Sequence, residues 1–374
     1  MNDINVKRFV DINIKQHIES AISGTRDVLV LYTHEGEQGK ISGTTSETIT
    51  DALTFASYGE AAKVYNATNY PDTNAYLSMY FNNGGARVVV IEGYAANNLT
   101  TDVIKTLDDK FILIALCDSN ENSNAALATL KSIATFREAD KTIYGVNEKI
   151  IFARTTTKTD ESVIANFALK YSNVYAAEMT MAAYLSSIDV YGINTVHDYM
   201  FTAETIKEEA LTDTEYATMQ EQNINVDTYL AGNVRNLGGN LKNGAEMVNS
   251  FVRIVLHQTL TQRLLALLMT KLKNNDGVGK IYATICSELA NYRTCGYLST
   301  DKTWTDPTMK VNVNGKTYTI IEEGTPLING YKVTVLPLAS LSQNDIILHK
   351  APPIYIIIAD QYGIRSITVN GEII

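Results

Sequence analysis

Residues 82–93 read NNGGARVVVIEG, and the fold turns on how they are read. Gly84 and Gly85 allow a tight turn with positive φ. Arg87 then leads into Val88-Val89-Val90-Ile91, closed by Gly93. A run with no polar face predicts a strand buried on both sides, as in a parallel sheet between helices. Upstream, Thr73–Phe81 places Tyr76, Leu77, Tyr80 and Phe81 on one helical face. The unit is therefore helix, glycine turn, central strand. Phosphate-cradling loops run the other way, from strand through glycines into a helix. Gly84, Gly85, Arg87 and Val89 are accordingly assigned to a structural turn and central strand.

Working outward, Val28–Tyr32 (VLVLY) and Phe111–Leu116 (FILIAL) are further buried strands. Ser57–Ala67 is a helix opening on a capping box, with Glu60 three residues after Ser57. Helices are expected at Thr101–Leu107, Asn124–Arg137, Glu161–Tyr171 and Met179–Ile188, with strands at Lys149–Ala153 and near Val174. This alternation predicts an open, mostly parallel α/β sheet with helices on both faces. Asp198–Asn240 is polar and rich in Glu, Thr and Asn, and is read as a connector, helical around Thr212–Gln222.

Two helices open the second half, Asn243–Leu272 and Val278–Tyr297, with Asn274–Gly277 as the turn between them. The period then changes to that of strands. Asn314-Gly315 between Lys310–Val313 and Lys316–Ile321 is the strongest short hairpin signal. Asn329-Gly330 between Pro326–Ile328 and Tyr331–Leu336 predicts a second hairpin, and Pro353–Ala359 a further strand. The fold class is thus α/β plus α+β. A mostly parallel sheet domain precedes a helix-pair and hairpin domain, with strand-like arms at both ends. The boundaries are 1–20, an N-terminal arm; 21–197, the α/β domain; 198–240, the connector; 241–362, the α+β domain; and 363–374, a C-terminal arm.

The arms follow from alternation. Ile4, Val6, Val10, Ile12 and Ile14 share one face of an N-terminal strand. At the other end Ile364, Ile367, Val369 and Ile373 supply a second apolar strand. Neither has a turn and returning strand within hairpin distance, so each is expected to pair remotely or with another molecule.

Over 374 residues the net charge is −10, and no Lys/Arg run exceeds two, which argues against a nucleic-acid surface. Tyr is abundant, 22 against 9 Phe and 1 Trp, which suits partly buried contact surfaces, although compositional drift explains it equally well. The opening MNDINVKRFV has no signal-peptide apolar core. Met247–Leu272 carries Arg253, His257 and Arg263 and does not suit a lipid-facing span, so no membrane insertion is expected. Cys117, Cys286 and Cys295 have no metal spacing and read as free thiols of a reducing cytosol.

Catalytic signals are weak. Gly36–Lys40 has two residues between its glycines where a Walker loop needs four, and Ile41 follows the lysine. Asp118 and Ser119 follow a strand end, where ligands bind in parallel sheets, but this is also ordinary capping composition. No Ser-His-Asp order, G-x-S-x-G or H-E-x-x-H occurs. No catalytic residue, cofactor or metal is assigned. The alternative is a cytosolic nucleotide- or phosphosugar-binding enzyme with its site at Gly36–Gly43 or Asp118–Ser119.

The segment from Tyr80 to Gly93 resembles the FF-x-NGG-x-R-x-x-V-V segment of tail sheath proteins from contractile-tailed phages and related injection machines. Ala183–Asp189, Asn225–Tyr229, Asn243-Gly244, Pro352–Ile354, Gly363-Ile364 and Ile367–Ile373 are similar to further landmarks of that family, in the same order. The resemblance spans nearly the whole chain. It implies a non-enzymatic structural subunit that polymerises helically, in six-fold rings, around an inner tail tube. Baseplate and tail terminator proteins would be further partners. It also implies exchange of terminal strands between subunits, an inner layer formed by the C-terminal domain, and a place in the virion tail after assembly in the host bacterial cytoplasm. The chain is shorter than many sheaths, implying that outer decorating domains are missing.

Overall fold

The computed structural model describes residues 28–32, 52–91, 111–117, 127, 128, 130–132, 149–192, 197–270, 272 and 274–361. They divide into two compact units. One lies within Ile22–Asp189 and His197–Ile254, the other within Val190–Val196 and Val255–Ile374.

The larger unit is built on an eight-stranded sheet. Its strands are β1 (Val28–Tyr32), β2 (Ala52–Phe55), β3 (Val88–Ile91), β4 (Phe111–Leu116), β5 (Ile150–Thr155), β6 (Phe167–Tyr171), β7 (Asn225–Leu230) and β8 (Asn233–Leu237), in the order β2-β3-β1-β4-β5-β6-β7-β8. Six run parallel, from β3 through β7. The edge strands β2 and β8 are antiparallel. β5 and β6 are buried at every residue, as expected for strands covered on both faces.

The helices of this unit are α1 (Tyr58–Val64), α2 (Pro71–Asn82), α3 (Met179–Ser187) and α4 (Asp213–Glu221). On one face Ile151, Ala153, Phe167, Leu169, Tyr171 and Val226 pack with Leu130 and with Met219 of α4. On the other, Lys170 of β6 reaches Thr180 of α3. Both sheet faces thus carry helices.

Strands β1, β3 and β4 form where the unbroken apolar runs predict them. β3, however, is second from the end of the order, and β4 and β5 hold the middle. A strand without a polar face reports neighbours above and below it, not its rank in the sheet.

Several expectations are corrected. Residues 167–171, expected in a helix, form β6; FALKY satisfies a helical spacing, but its pairing with β5 prevails. Val174 lies in the turns before α3, not in a strand. Residues 198–240, read as a connector, contain α4, β7 and β8. Their polar side chains Asn225, Asp227 and Asn236 are buried and hydrogen-bond inside the unit, which hides the strands from an apolar pattern. At Ser57 the capping box is displaced by one residue. Ser57 Oγ accepts from Glu60 N at 3.4 Å, while Glu60 accepts from Ala56 N at 3.1 Å. The helices expected at Thr101–Leu107 and over most of Asn124–Arg137 lie outside the described residues, as do both arms.

The division between units falls inside α5 (Met247–Leu268), which precedes α6 (Asn274–Thr294). Asn274–Gly277, expected as the turn, forms the first turn of α6. In the smaller unit β9 (Met309–Val313) and β10 (Lys316–Ile321) pair antiparallel around Asn314-Gly315, with φ +51° and +78°. Two positive φ values at a two-residue loop are the requirement of a type I′ hairpin. The second expected hairpin does not form. β11 (Tyr331–Val335) pairs with β12 (Ile354–Ile358), after an excursion through α7 (Gln343–Ile347). Asn329-Gly330 still turns the chain, with Gly330 N donating to Leu327 O at 2.7 Å. Ile320, Ile321, Leu327, Leu336 and Ile357 form the core that joins both strand pairs.

Candidate functional site

Three places test what the molecule can do: the glycine turn, the carboxyl ends of the parallel strands, and the exposed surface. At the turn, α2 ends with Gly84 N donating to Phe81 O and Gly85 N to Tyr80 O, so the helix C-terminal carbonyls are satisfied locally. Gly84 has φ +83°. Gly85 is required by space: a Cβ there would lie 2.6 Å from the Tyr80 ring. Tyr80 OH donates to Ser186 Oγ at 2.8 Å, and Ala86 N donates to the same oxygen at 3.1 Å. Ser186 Oγ in turn donates to Ala183 O of α3. One hydroxyl therefore ties α2, the turn and α3 together. Burial pushes the Tyr80 phenol far above its ordinary range, so it stays protonated. Arg87 is exposed and Val89 is buried in β3. The Gly84 and Gly85 donors are spent inside the helix end and that of Ala86 on Ser186 Oγ, which leaves these three N–H groups no ligand to cradle.

At the strand ends lies a charged cluster that the sequence reading does not anticipate. Lys170 is fully buried. Its Nζ donates to Thr180 Oγ1 at 2.5 Å and to Tyr199 OH at 3.1 Å. It also lies 2.7 Å from Asp227 Oδ2, a contact at ion-pair distance without hydrogen-bond alignment. Glu204 Oε1 is 4.0 Å away and accepts from Tyr199 OH at 2.8 Å. Asn236 Nδ2 donates to Asp227 Oδ1 at 3.3 Å. Burial pushes Glu204 above the ordinary carboxylate range, against the opposing pull of Lys170. Next along the sheet, Tyr76 OH donates to buried Glu178 at 2.8 Å, and Arg154 stacks over Tyr175 at 5.6 Å. Burial also raises Glu178. The available signal was a lysine inside FALKY and an aspartate inside NVDTYL: charges within buried strands need each other.

Among the described residues no group of three or more His, Cys, Asp or Glu is arranged to hold a metal ion. None of their helices is long and apolar enough to cross a membrane. Cys117, Cys286 and Cys295 are not joined in disulfides. Asp118, Ser119 and Gly36–Gly43 lie outside the described residues, as do the arm positions Ile4, Val6, Val10, Ile12, Ile14, Ile364, Ile367, Val369 and Ile373.

The surface is more informative. Ile346, Ile347 and Leu348 at α7 are exposed by 56, 70 and 57%. Three consecutive apolar residues in solvent mark a contact surface more than a folding device. The outer edge of β8 is covered by the chain's own residues 201–204, through Phe201 N to Asn236 O at 2.8 Å and Glu204 N to Val234 O at 3.1 Å. Among the described residues, β11 and β12 pair only with each other, and a two-stranded sheet is marginal alone.

No protein-family model matches the chain, and a comparison with curated protein sequences finds no match. Solved structures do. Over 97% of its length the chain is similar to 99% of a chain in the helical sheath of the anti-feeding prophage in the contracted state, at 14% identity and a TM-score of 0.63. It is similar over 97% to 96% of a chain in the PVC sheath complex, an extracellular contractile injection system, also contracted, at 14% identity and a TM-score of 0.58. A chain of the contracted anti-feeding prophage baseplate gives 98% and 99% coverage, 14% identity and a TM-score of 0.58. The fold of this chain is that of contractile injection-system sheath chains.

Proposed function

We propose that the chain is a structural subunit of a contractile sheath, polymerising helically around an inner tube and contracting to drive that tube through a target cell envelope. The observation that supports this most is the end-to-end likeness to a chain of a helical sheath, which accounts for 97% of this chain and 99% of the other with little left over on either side. The FF-x-NGG-like segment, the exposed apolar α7 and the two-stranded β11–β12 pair agree with it. Both units carry packed cores, so they would move as bodies while the lattice changes.

In this reading the arms at 1–20 and 363–374 supply strands to neighbouring subunits. Main-chain hydrogen bonds to an incomplete sheet give the affinity, and alternating side chains give the register. A repeated heterologous contact that does not close makes a filament or tube. Partners would be further copies of the chain, in six-fold rings, the inner tube protein, and baseplate and terminator proteins. The particle would be a phage tail or a phage-like injection machine assembled in the bacterial cytoplasm. No catalysis, cofactor or nucleic acid enters the mechanism.

The test is negative-stain microscopy of the purified chain, alone and with an inner tube protein. Long tubes are expected from the full chain. Deleting Met1–Lys15 or Ser366–Ile374 is expected to leave folded, soluble monomer without tubes. Normal tubes from either truncated protein overturn strand exchange. Absence of tubes together with Mg²⁺-dependent nucleotide binding by calorimetry overturns the sheath reading in favour of an enzyme.

A further inference from the structure

We propose that Lys170 and Asp227 close autocatalytically into an isopeptide bond that staples β6 to β7, with Glu204 carrying the proton. The two residues sit on adjacent parallel strands, in a register that pairs Lys170 with Asn225 and so sets Asp227 beside it on the same face. Lys170 and Asp227 have no solvent exposure and Glu204 almost none. Two carboxylates thus lie around one ammonium in a site closed to solvent.

The hydrogen bonds around Nζ fit a nucleophile. Thr180 Oγ1 and Tyr199 OH take two N–H bonds, at 2.5 and 3.1 Å. Asp227 Oδ2 lies 2.7 Å from Nζ, without hydrogen-bond alignment. Attack requires that, once the third proton has left, the nitrogen lone pair turn toward Asp227 Cγ. Asn236 Nδ2, donating to Oδ1 at 3.3 Å, polarises the carboxyl and steadies the oxygen that gains charge. Glu204 lies 4.0 Å from Nζ, so it acts as general acid and base through the Tyr199 hydroxyl, which Nζ meets at 3.1 Å and which donates to Glu204 at 2.8 Å. Burial keeps its carboxyl above the ordinary range, which suits a group that must hold and return a proton.

The step balances without a co-reactant. Lys170 –NH3⁺ and Asp227 –COO⁻ together become –NH–CO– and one water. The Nζ–Cγ bond forms, the Cγ–Oδ2 bond breaks, and Oδ2 leaves with two protons taken from nitrogen, one of them by way of Glu204. Nothing is oxidised or reduced. Fixing both groups on paired strands replaces a bimolecular condensation by an intramolecular one, where effective concentrations reach ~10⁵ M or more.

Intact-mass measurement of the denatured full chain decides it. The wild type is expected one water lighter than its sequence mass, with a linked peptide pair containing Lys170 and Asp227 after proteolysis. A Lys170→Arg protein is expected at full sequence mass. Wild type at full sequence mass overturns the bond, whether or not the protein forms tubes. Glu204→Gln is expected to fold, by circular dichroism, and to remain open at full sequence mass. A folded Glu204→Gln protein that loses water as fast as wild type overturns the role of Glu204. If that variant fails to fold, the closure rate of a Glu204→Asp protein, expected to be slower than wild type, decides the same point.

Discussion

The sheets of the two units are held in different ways. β5 and β6 are buried at every residue; Lys170 of β6 is at ion-pair distance from Asp227 in the core, and Arg154 of β5 donates to Ser172 O and lies over the Tyr175 ring. β9 alternates between half-buried and exposed, and β11 is half-buried throughout. The first sheet has eight strands and carries a strap of its own chain along its β8 edge. Among the described residues, the second unit's sheets stop at two strands each. A broad sheet with a covered edge resists further pairing there, whereas a two-stranded one is a place to receive a strand. Substitutions should therefore act differently in the two: on folding in the larger unit, on local geometry and assembly in the smaller.

The largest loss is expected from Lys170→Met. It removes the cation between Asp227 and Glu204 where the pair is open, and the cross-link where it has closed; breaking a buried pair costs about 3–5 kcal/mol. Thermal unfolding should show it, and replacing Asp227 by Leu in the same chain should return part of the loss. A Lys170→Met protein as stable as wild type would show that the cluster contributes nothing to the larger unit. Gly85→Val comes next. Its side chain meets the Tyr80 ring, and overpacking of this kind costs about 1–3 kcal/mol. Soluble yield and melting temperature should fall together. Loss of a ligand without loss of stability would instead make the turn a binding loop.

How much of this was readable depends on whether the cause is local. The apolar runs at 28–32, 88–91 and 111–116 specify strands by themselves, and Asn314-Gly315 specifies its hairpin through two backbone angles. β6 and β7 were not readable in the same way. Phe167–Tyr171 has a helix-compatible spacing, and Asn225–Leu230 is half polar. Both become strands because partners distant in sequence satisfy Lys170, Asp227 and Asn225. The carboxyl-end cluster was invisible for that reason: each charge looks like a surface residue until its partner is known. The node at Ser186 is similar, since a serine at the end of a helix gives no sign that it caps a turn far away in the chain.

A smaller effect is expected at Gly315, where a substitution adds dihedral cost and no clash. Its φ is +78°, and a Cβ would meet nothing within 4 Å. Gly315→Ala should cost about 1–2 kcal/mol, the left-handed penalty of a non-glycine residue. The loss should appear as looser amide protection in β9 and β10, with the β5–β7 core unchanged. Equal loss of protection in both units would mean that they unfold as one, and the contrast between them would fail.

The smallest effect, and the sharpest in sign, concerns Glu215 at the start of α4. Its carboxylate accepts from Lys158 Nζ at 2.5 Å and from Thr212 N at 2.9 Å, closing a capping box. Lys158 first, then the Thr212 donors, lower its pKa from 4.5 to about 2. A depressed carboxylate stabilises the fold when ionised, so its contribution is complete above the ordinary glutamate range and is lost as pH falls toward about 2. Glu204, raised by burial, has the opposite dependence: its share is complete at low pH and declines as pH rises. Glu215 is half-buried with its carboxylate reachable by solvent, so salt should weaken its effect while leaving that of Glu204 nearly untouched. The measurement is the gap in melting temperature between wild type and Glu215→Gln. It should be small at neutral pH, narrow on acidification and shrink in high salt. A gap that widens on acidification would reverse the assignment, because a carboxylate bound to an ammonium and two helix-start donors can only lose by taking a proton.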